Sequence, residues 1–151
     1  MTDRFQQFSA AMSSINQYVL KLQREEMEKY GYKGAFAQYL MAMRRNPDGV
    51  TSAQLSEMCD KDKAAVSRVI TEMIEKGLVV RKSANEKLYR AKLSLTQKGT
   101  EIADYIANQG AAAVVAVNNA FSQEELKAFY SNLDYIAERL HTISKDGIPD
   151  K

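Results

Sequence analysis

The stretch DKAAVSRVITEMIEKGLVVRK, residues 62–82, decides how the chain is read. Val66, Val69, Ile70, Met73 and Ile74 recur at helical spacing and make one apolar stripe. Asp62 is a suitable N-terminal cap, and Gly77 supplies a left-handed stop. The outer face of this predicted helix begins with Ala64, Ala65 and Ser67, which leave the backbone nearly bare, beside Lys63 and Arg68. A helix that only covers a core has no use for so slim a front. A helix that slides into a groove does.

Upstream, Thr51-Ser52-Ala53-Gln54 reads as a capping box that opens a short helix ending near Met58, and Cys59-Asp60-Lys61 is a tight connection. A further helix over 35–45 is closed by the turn Asn46-Pro47-Asp48-Gly49. Downstream the period changes to two. Residues 78–82 and 88–95 read as strands, with apolar positions alternating against basic ones and a polar, turn-prone segment 83–87 between them. Two short helices followed by a β-hairpin make a helix-turn-helix with a wing.

Long helices flank this core. Phe5, Phe8, Met12, Ile15, Val19 and Leu22 step by 3, 4, 3, 4, 3 in a predicted helix over 3–30 that Gly31 and Gly34 break. Thr96 caps a helix running to about residue 120, weakened at Gly110, and Ser122 to Glu125 is a second capping box. The last helix repeats the seam with Leu126, Phe129, Leu133, Ile136, Leu140 and Ile143, ahead of a frayed tail over 145–151. The expected fold is mostly α with a small β-hairpin wing: one domain over 1–151, in which a winged helix-turn-helix lobe (35–95) stands between N- and C-terminal dimerisation helices (3–30 and 96–144).

With 151 residues, 45% hydrophobic and 26% charged, the chain can bury a real core. No apolar run approaches the roughly 20 residues of a membrane span, the opening MTDRFQQFSA lacks an export-signal pattern, and a single cysteine excludes an internal disulfide. A cytoplasmic location without membrane partners is expected. The net charge of +2 hides an uneven distribution. Residues 61–98 carry ten Lys or Arg against four Asp or Glu, whereas residues 99–151 carry four against eight. A gathered positive face is the footprint of a polyanion binder.

The core PDGVTSAQLSEMCDKDKAAVSRVITEMIEKGLVVRK, followed by YRAKLSLTQKG, resembles the MarR family of bacterial transcription regulators. The resemblance spans about residues 47–99, and DKAAVSRVI, EKGLVVR and LSLTQKG are its most specific pieces. It departs at the wing tip, where an Asp-x-Arg or Asp-Arg-Arg cluster is replaced by Asn85-Glu86-Lys87-Leu88-Tyr89-Arg90. The resemblance implies a homodimeric repressor of double-stranded DNA, released by a small, often phenolic or aromatic, effector held between dimer helices and winged lobe. Tyr18, Tyr39, Met43 and Tyr105 are aromatic or soft enough to line such a crevice, and equally suited to a core.

The major groove, about 12 Å wide, admits a helix whose floor-facing side chains are short. Ala64, Ala65 and Ser67 would allow approach, Arg68 would reach a guanine edge, and Thr71 lies one turn beyond Ser67. Lys61 and Lys63 suit phosphates. Pairing with Glu72 is the plain alternative for Arg68. Thr51, Ser52 and Gln54 offer hydroxyls, an amide and backbone donors at a helix start, although Thr51 is also a cap. Lys82, Lys87, Arg90 and Lys92 could follow the backbone or enter the minor groove, with an ordinary solvated strand face as the alternative. The seams Phe5, Phe8, Met12, Ile15 and Val19, and Leu126, Phe129, Leu133, Ile136 and Leu140, would dimerise. Two-fold symmetry then calls for a pseudo-palindromic operator.

Cys59 reads as a small buried hydrophobe, with a redox switch as the sharper alternative. His141, the lone histidine, has no cysteine or second histidine with which to share a metal, and no cofactor is expected. A winged-helix module for protein association alone is the competing function, disfavoured by the basic segment. An enzyme is not expected, because no nucleophile–base pair, paired carboxylates or phosphate loop stands out.

Overall fold

The structure, a computed structural model, describes residues 2–82 and 90–149. Among the described residues, six helices run in chain order: α1 Thr2–Lys29, α2 Phe36–Arg44, α3 Ser52–Cys59, α4 Lys63–Glu75, α5 Gln97–Asn118 and α6 Gln123–Asp146. Two strands, β1 Val79–Arg81 and β2 Leu93–Leu95, stand between α4 and α5. The expected class, mostly helical with a small β-hairpin, is the one observed. The chain falls into two compact units, residues 1–111 and 112–151.

The first unit is built around α2. Phe36, Ala37, Tyr39, Leu40, Met41, Ala42 and Met43 are all buried, leaving Gln38 and Arg44 as its polar outlets. Around it close Leu55 of α3, Val66, Ile70 and Met73 of α4, Leu78 and Leu93 of the hairpin, and Ile102, Ala103 and Ile106 of α5. Among the described residues of α1, Met27 alone is fully buried. Tyr105 donates its hydroxyl proton to Glu26 at 2.9 Å, and Lys29 pairs with the same carboxylate at 2.6 Å, fastening the end of α1 to α5. Both donors hold Glu26 below the usual carboxylate range.

Local chemistry sets the boundaries. Thr51 and Gln54 close a reciprocal capping box on α3, and Ser122 and Glu125 close one on α6. Asp62 accepts from Ala65 N–H at 2.8 Å to start α4. The helix-turn-helix connection is tight because Asp60 takes a left-handed conformation, φ 50°. Gly77, at φ 71°, ends α4 in a Schellman arrangement: its N–H donates to Ile74 and that of Leu78 to Met73, each at 2.9 Å.

The hairpin pairs antiparallel, with Val79 opposite Leu95 and Arg81 opposite Leu93. The strands are shorter than expected over 78–82 and 88–95. Leu78 is taken by the α4 stop, and part of the second segment lies in 83–89, outside the described residues. A bridge the sequence did not announce pairs Val50 with Leu93, tying the α2–α3 turn to the base of the wing.

In the second unit, the end of α5 and all of α6 bury no side chain completely. Val114, Val115, Val117, Phe121, Phe129, Tyr130, Tyr135 and Leu140 are exposed large hydrophobics.

Candidate nucleic-acid interface

The 100° step between helix residues sorts the front of α4 into faces. Ala64, Ser67, Arg68 and Thr71 fall on one exposed arc opposite the buried Val66, Ile70 and Met73. Thr71 bonds its hydroxyl to the Ser67 carbonyl at 3.0 Å and so lies flat along the helix. Lys63 and Lys61 are exposed at the start. Ala65 stands at the flank, half-buried, one step round from the slim arc.

The Glu72 carboxylate is engaged elsewhere: Lys33, in the α1–α2 connection, approaches it at 2.6 Å. Arg68 is exposed and has no hydrogen-bond or ion-pair partner among the described residues. The alternative of an Arg68–Glu72 pair does not form.

At the start of α3, Gln54 N–H donates to the Thr51 hydroxyl at 3.2 Å, and Thr51 N–H to the Gln54 side-chain oxygen at 2.9 Å. Both residues are therefore caps. The Thr51 hydroxyl proton and the Gln54 amide group remain as donors. Ser52, next to them, is half-exposed. In the wing, Lys82, Arg90 and Lys92 are exposed, and Lys82 N–H donates to the Lys92 carbonyl at 2.8 Å, extending the hairpin by one rung. Lys87 lies outside the described residues.

A cavity of about 310 Å³ opens behind α4. Leu20 and Arg24 of α1, Tyr39 of α2, and Lys61, Ala65 and Val69 around α4 line it. Of the four crevice residues suggested by resemblance, Tyr39 alone lines this cavity, and burial pushes its hydroxyl pKa up. Met43 is core, Tyr18 is exposed, and Tyr105 is half-buried, bound to Glu26 and tilted against Tyr30 with ring centroids 5.2 Å apart. Periodicity alone could not find the cavity, because its wall comes from three elements distant in sequence.

The seam residues of α1 and α6 are largely uncovered. Phe5, Ile15 and Val19 are exposed at 72%, 51% and 43%, and Phe129 and Leu140 at 51% and 50%. Phe8 is exposed too, while Met12, Leu126, Leu133 and Ile136 are intermediate. In the second unit, Val117, Phe121, Leu126 and Phe129 line an apolar groove of about 380 Å³.

A helix-turn-helix, a hairpin at its exit and long flanking helices define a winged helix-turn-helix protein. Within that class, residues 30–87 match the model of the MarR family, the family that residues 47–99 resemble. In fold the likeness extends over most of the chain. A MarR transcriptional regulator from Methanosarcina mazei superposes with a TM-score of 0.78 at 20% identity, covering 91% of this chain and 99% of that one. The MepR–DNA complex of S. aureus gives 0.66 at 16%, covering 87% and 97%. Staphylococcus aureus MarR in complex with salicylate and kanamycin gives 0.68 at 22%, covering 91% and 92%. At these identities the likeness is one of fold. No curated protein matches the chain in sequence. Among the described residues, no helix is long and apolar enough to cross a membrane, and no group of three His, Cys, Asp or Glu is arranged to hold a metal.

Proposed function

We propose that the protein is a sequence-specific, DNA-binding transcription regulator: a cytoplasmic homodimer that represses a pseudo-palindromic operator and is released by a small aromatic effector. The lobe over 35–95 reads DNA, and the helices over 3–30 and 96–144 pair two copies. The observation that carries this reading is the exposed arc Ala64, Ser67, Arg68 and Thr71, with its arginine left unpaired. A guanidinium held by a neighbouring carboxylate would have to break that contact to reach a base. This one is already available for a two-pronged bond to guanine. Lys61, Lys63, Thr51, Ser52 and Gln54 contact phosphates on either side, and Lys82, Lys87 and Arg90 follow the backbone from the wing.

The effector reading is supported by the cavity, whose apolar wall is rimmed by Arg24 and Lys61. That lining suits an aromatic anion such as the salicylate bound by the S. aureus relative. Lys61 also stands on the proposed DNA face, so an occupant that draws its ammonium inward would cost a phosphate contact. Redox control through Cys59 is less well supported, since burial pushes the thiol up and keeps it protonated. A role in protein association alone leaves the positive charge of residues 61–98 without a purpose.

Titrating labelled DNA from the gene's own upstream region against random duplex, at two salt concentrations, tests the reading. Arg68→Ala should erase most of the preference for the site, a loss of about 1–3 kcal/mol. Lys63→Ala should weaken both duplexes alike and lower the salt slope by about one. If both variants track the parent, α4 is not the reading helix.

A further inference from the structure

The end of α4 is held by the beginning of α5. Past its last turn, α4 leaves three successive carbonyls, those of Lys76, Gly77 and Leu78. Each accepts a hydrogen bond from Thr96 or Lys98. Lys98 Nζ donates to the Lys76 carbonyl at 3.3 Å, the Thr96 hydroxyl to Gly77 at 2.6 Å, and Thr96 N–H to Leu78 at 3.0 Å. The same hydroxyl accepts from Gly99 N–H at 3.1 Å. One side chain thus caps the start of α5 and closes the exit of α4.

Two further contacts complete the joint. The Lys98 ammonium stands 5.4 Å from the centre of the Tyr32 ring in the α1–α2 connection, a cation–π distance. On an otherwise exposed residue, its charge is engaged by that ring and by the Lys76 carbonyl. Gly99 makes the approach possible, because a Cβ there would lie 2.1 Å from the Leu78 carbonyl oxygen, a backbone atom that cannot swing aside.

The position of the joint gives it a consequence for recognition. Leu78 immediately precedes β1 and Thr96 immediately follows β2, whose first rung pairs Val79 with Leu95. The recognition helix and the wing therefore leave from the same few hydrogen bonds. Resting on the reading of α4 as the DNA-reading helix, we infer that Thr96, Lys98 and Gly99 are positioning residues for DNA recognition. They fix the angle between α4 and the wing, without touching DNA themselves. Lys98, counted by sequence with the basic segment, is a bolt and contributes no phosphate contact.

Gly99→Ala is the obvious variant but risks unfolding, so Thr96→Val and Lys98→Met carry the test, with Thr96→Ser as the conservative control. Full-length protein is titrated with the upstream site and with random duplex at two salt concentrations, and amide hydrogen exchange is followed without DNA. Thr96→Val and Lys98→Met should keep the parent's ellipticity and mass while site affinity falls roughly tenfold, the scale of one lost hydrogen bond to a charged or buried partner. Random-duplex affinity and the salt slope should hold, and Thr96→Ser should restore the site. Exchange at Gly77, Leu78 and Gly99 should quicken in Thr96→Val alone of the two threonine variants. A salt slope lowered by about one in Lys98→Met would make that lysine a phosphate ligand and overturn the assignment. So would a discriminating parent whose Thr96→Val and Lys98→Met variants match it. A parent that prefers no site would instead bring down the DNA reading and the positioning role together. The exchange rates would still report whether the joint exists.

Discussion

Cys59 ends α3, half-buried, with its thiol 3.9 Å from the Gln38 carbonyl. Burial raises its pKa, and Arg45 and Lys61 pull the other way with less effect. The thiolate fraction near neutrality is therefore smaller than in a free cysteine, and reactivity follows the thiolate. At pH 7.5 an aromatic disulfide reagent should modify Cys59 at least about tenfold more slowly than an unstructured cysteine peptide. Mild peroxide should leave DNA binding unchanged. A fast, peroxide-sensitive thiol would restore the redox alternative. At this scale the sequence was a good guide to residue type and a poor one to partner. Arg68 and Glu72 are four apart on one helix, yet Glu72 is taken by Lys33, 39 residues away. Lys98 counts toward a basic run and spends its charge on a ring and a carbonyl. Long, flexible cationic side chains choose among partners that only the fold assembles.

Elements were more legible, because their ends are decided by neighbours in sequence. Both capping boxes, the Asp62 cap and the Gly77 stop need only residues within four positions, and each forms as read. The Val50–Leu93 bridge and the three carbonyls capped by Thr96 and Lys98 join segments about twenty or more residues apart, and no local pattern announces them. The α6 cap also makes a pH prediction. Accepting from Ser122 N–H at 2.8 Å holds the Glu125 carboxyl below its usual range. A group depressed in the folded state stabilises it above the ordinary carboxylate pKa, and this is lost as pH falls through the depressed value. Glu125→Gln keeps the capping hydrogen bond without the proton to gain. Acid titration of the amide exchange at Ser122 should thus show a step in the parent, below the usual carboxylate range, that the variant lacks. A step retained in Glu125→Gln would assign it to another acid.

For the whole molecule, the decisive quantity is apolar surface left in water. Two helices keep a 3–4 repeat of large hydrophobics, yet Phe5 and Ile15 on α1 and Phe129 and Leu140 on α6 are half or more exposed in the single chain. A soluble monomer rarely shows so long an apolar row, and the hydrophobic term favours its burial against a second copy at roughly 25 cal/mol per Å². Ile15→Glu and Leu140→Glu both alter residues outside the core, so each chain should retain its helicity. Each would bring a carboxylate into a pairing seam, where an unpaired charge is strongly disfavoured. Sedimentation equilibrium should find the parent at twice the chain mass of 17.0 kDa, and either variant shifted toward the single chain. The DNA consequence separates pairing from reading. A lone copy keeps Arg68 and its arc, so it should still prefer one half-site, while losing the gain from a second half-site about 34–36 Å away. Binding to a full operator should then respond less to changes in half-site spacing than the parent does. A parent that sediments as one chain, with affinity indifferent to that spacing, would show the exposed seams to serve some other contact.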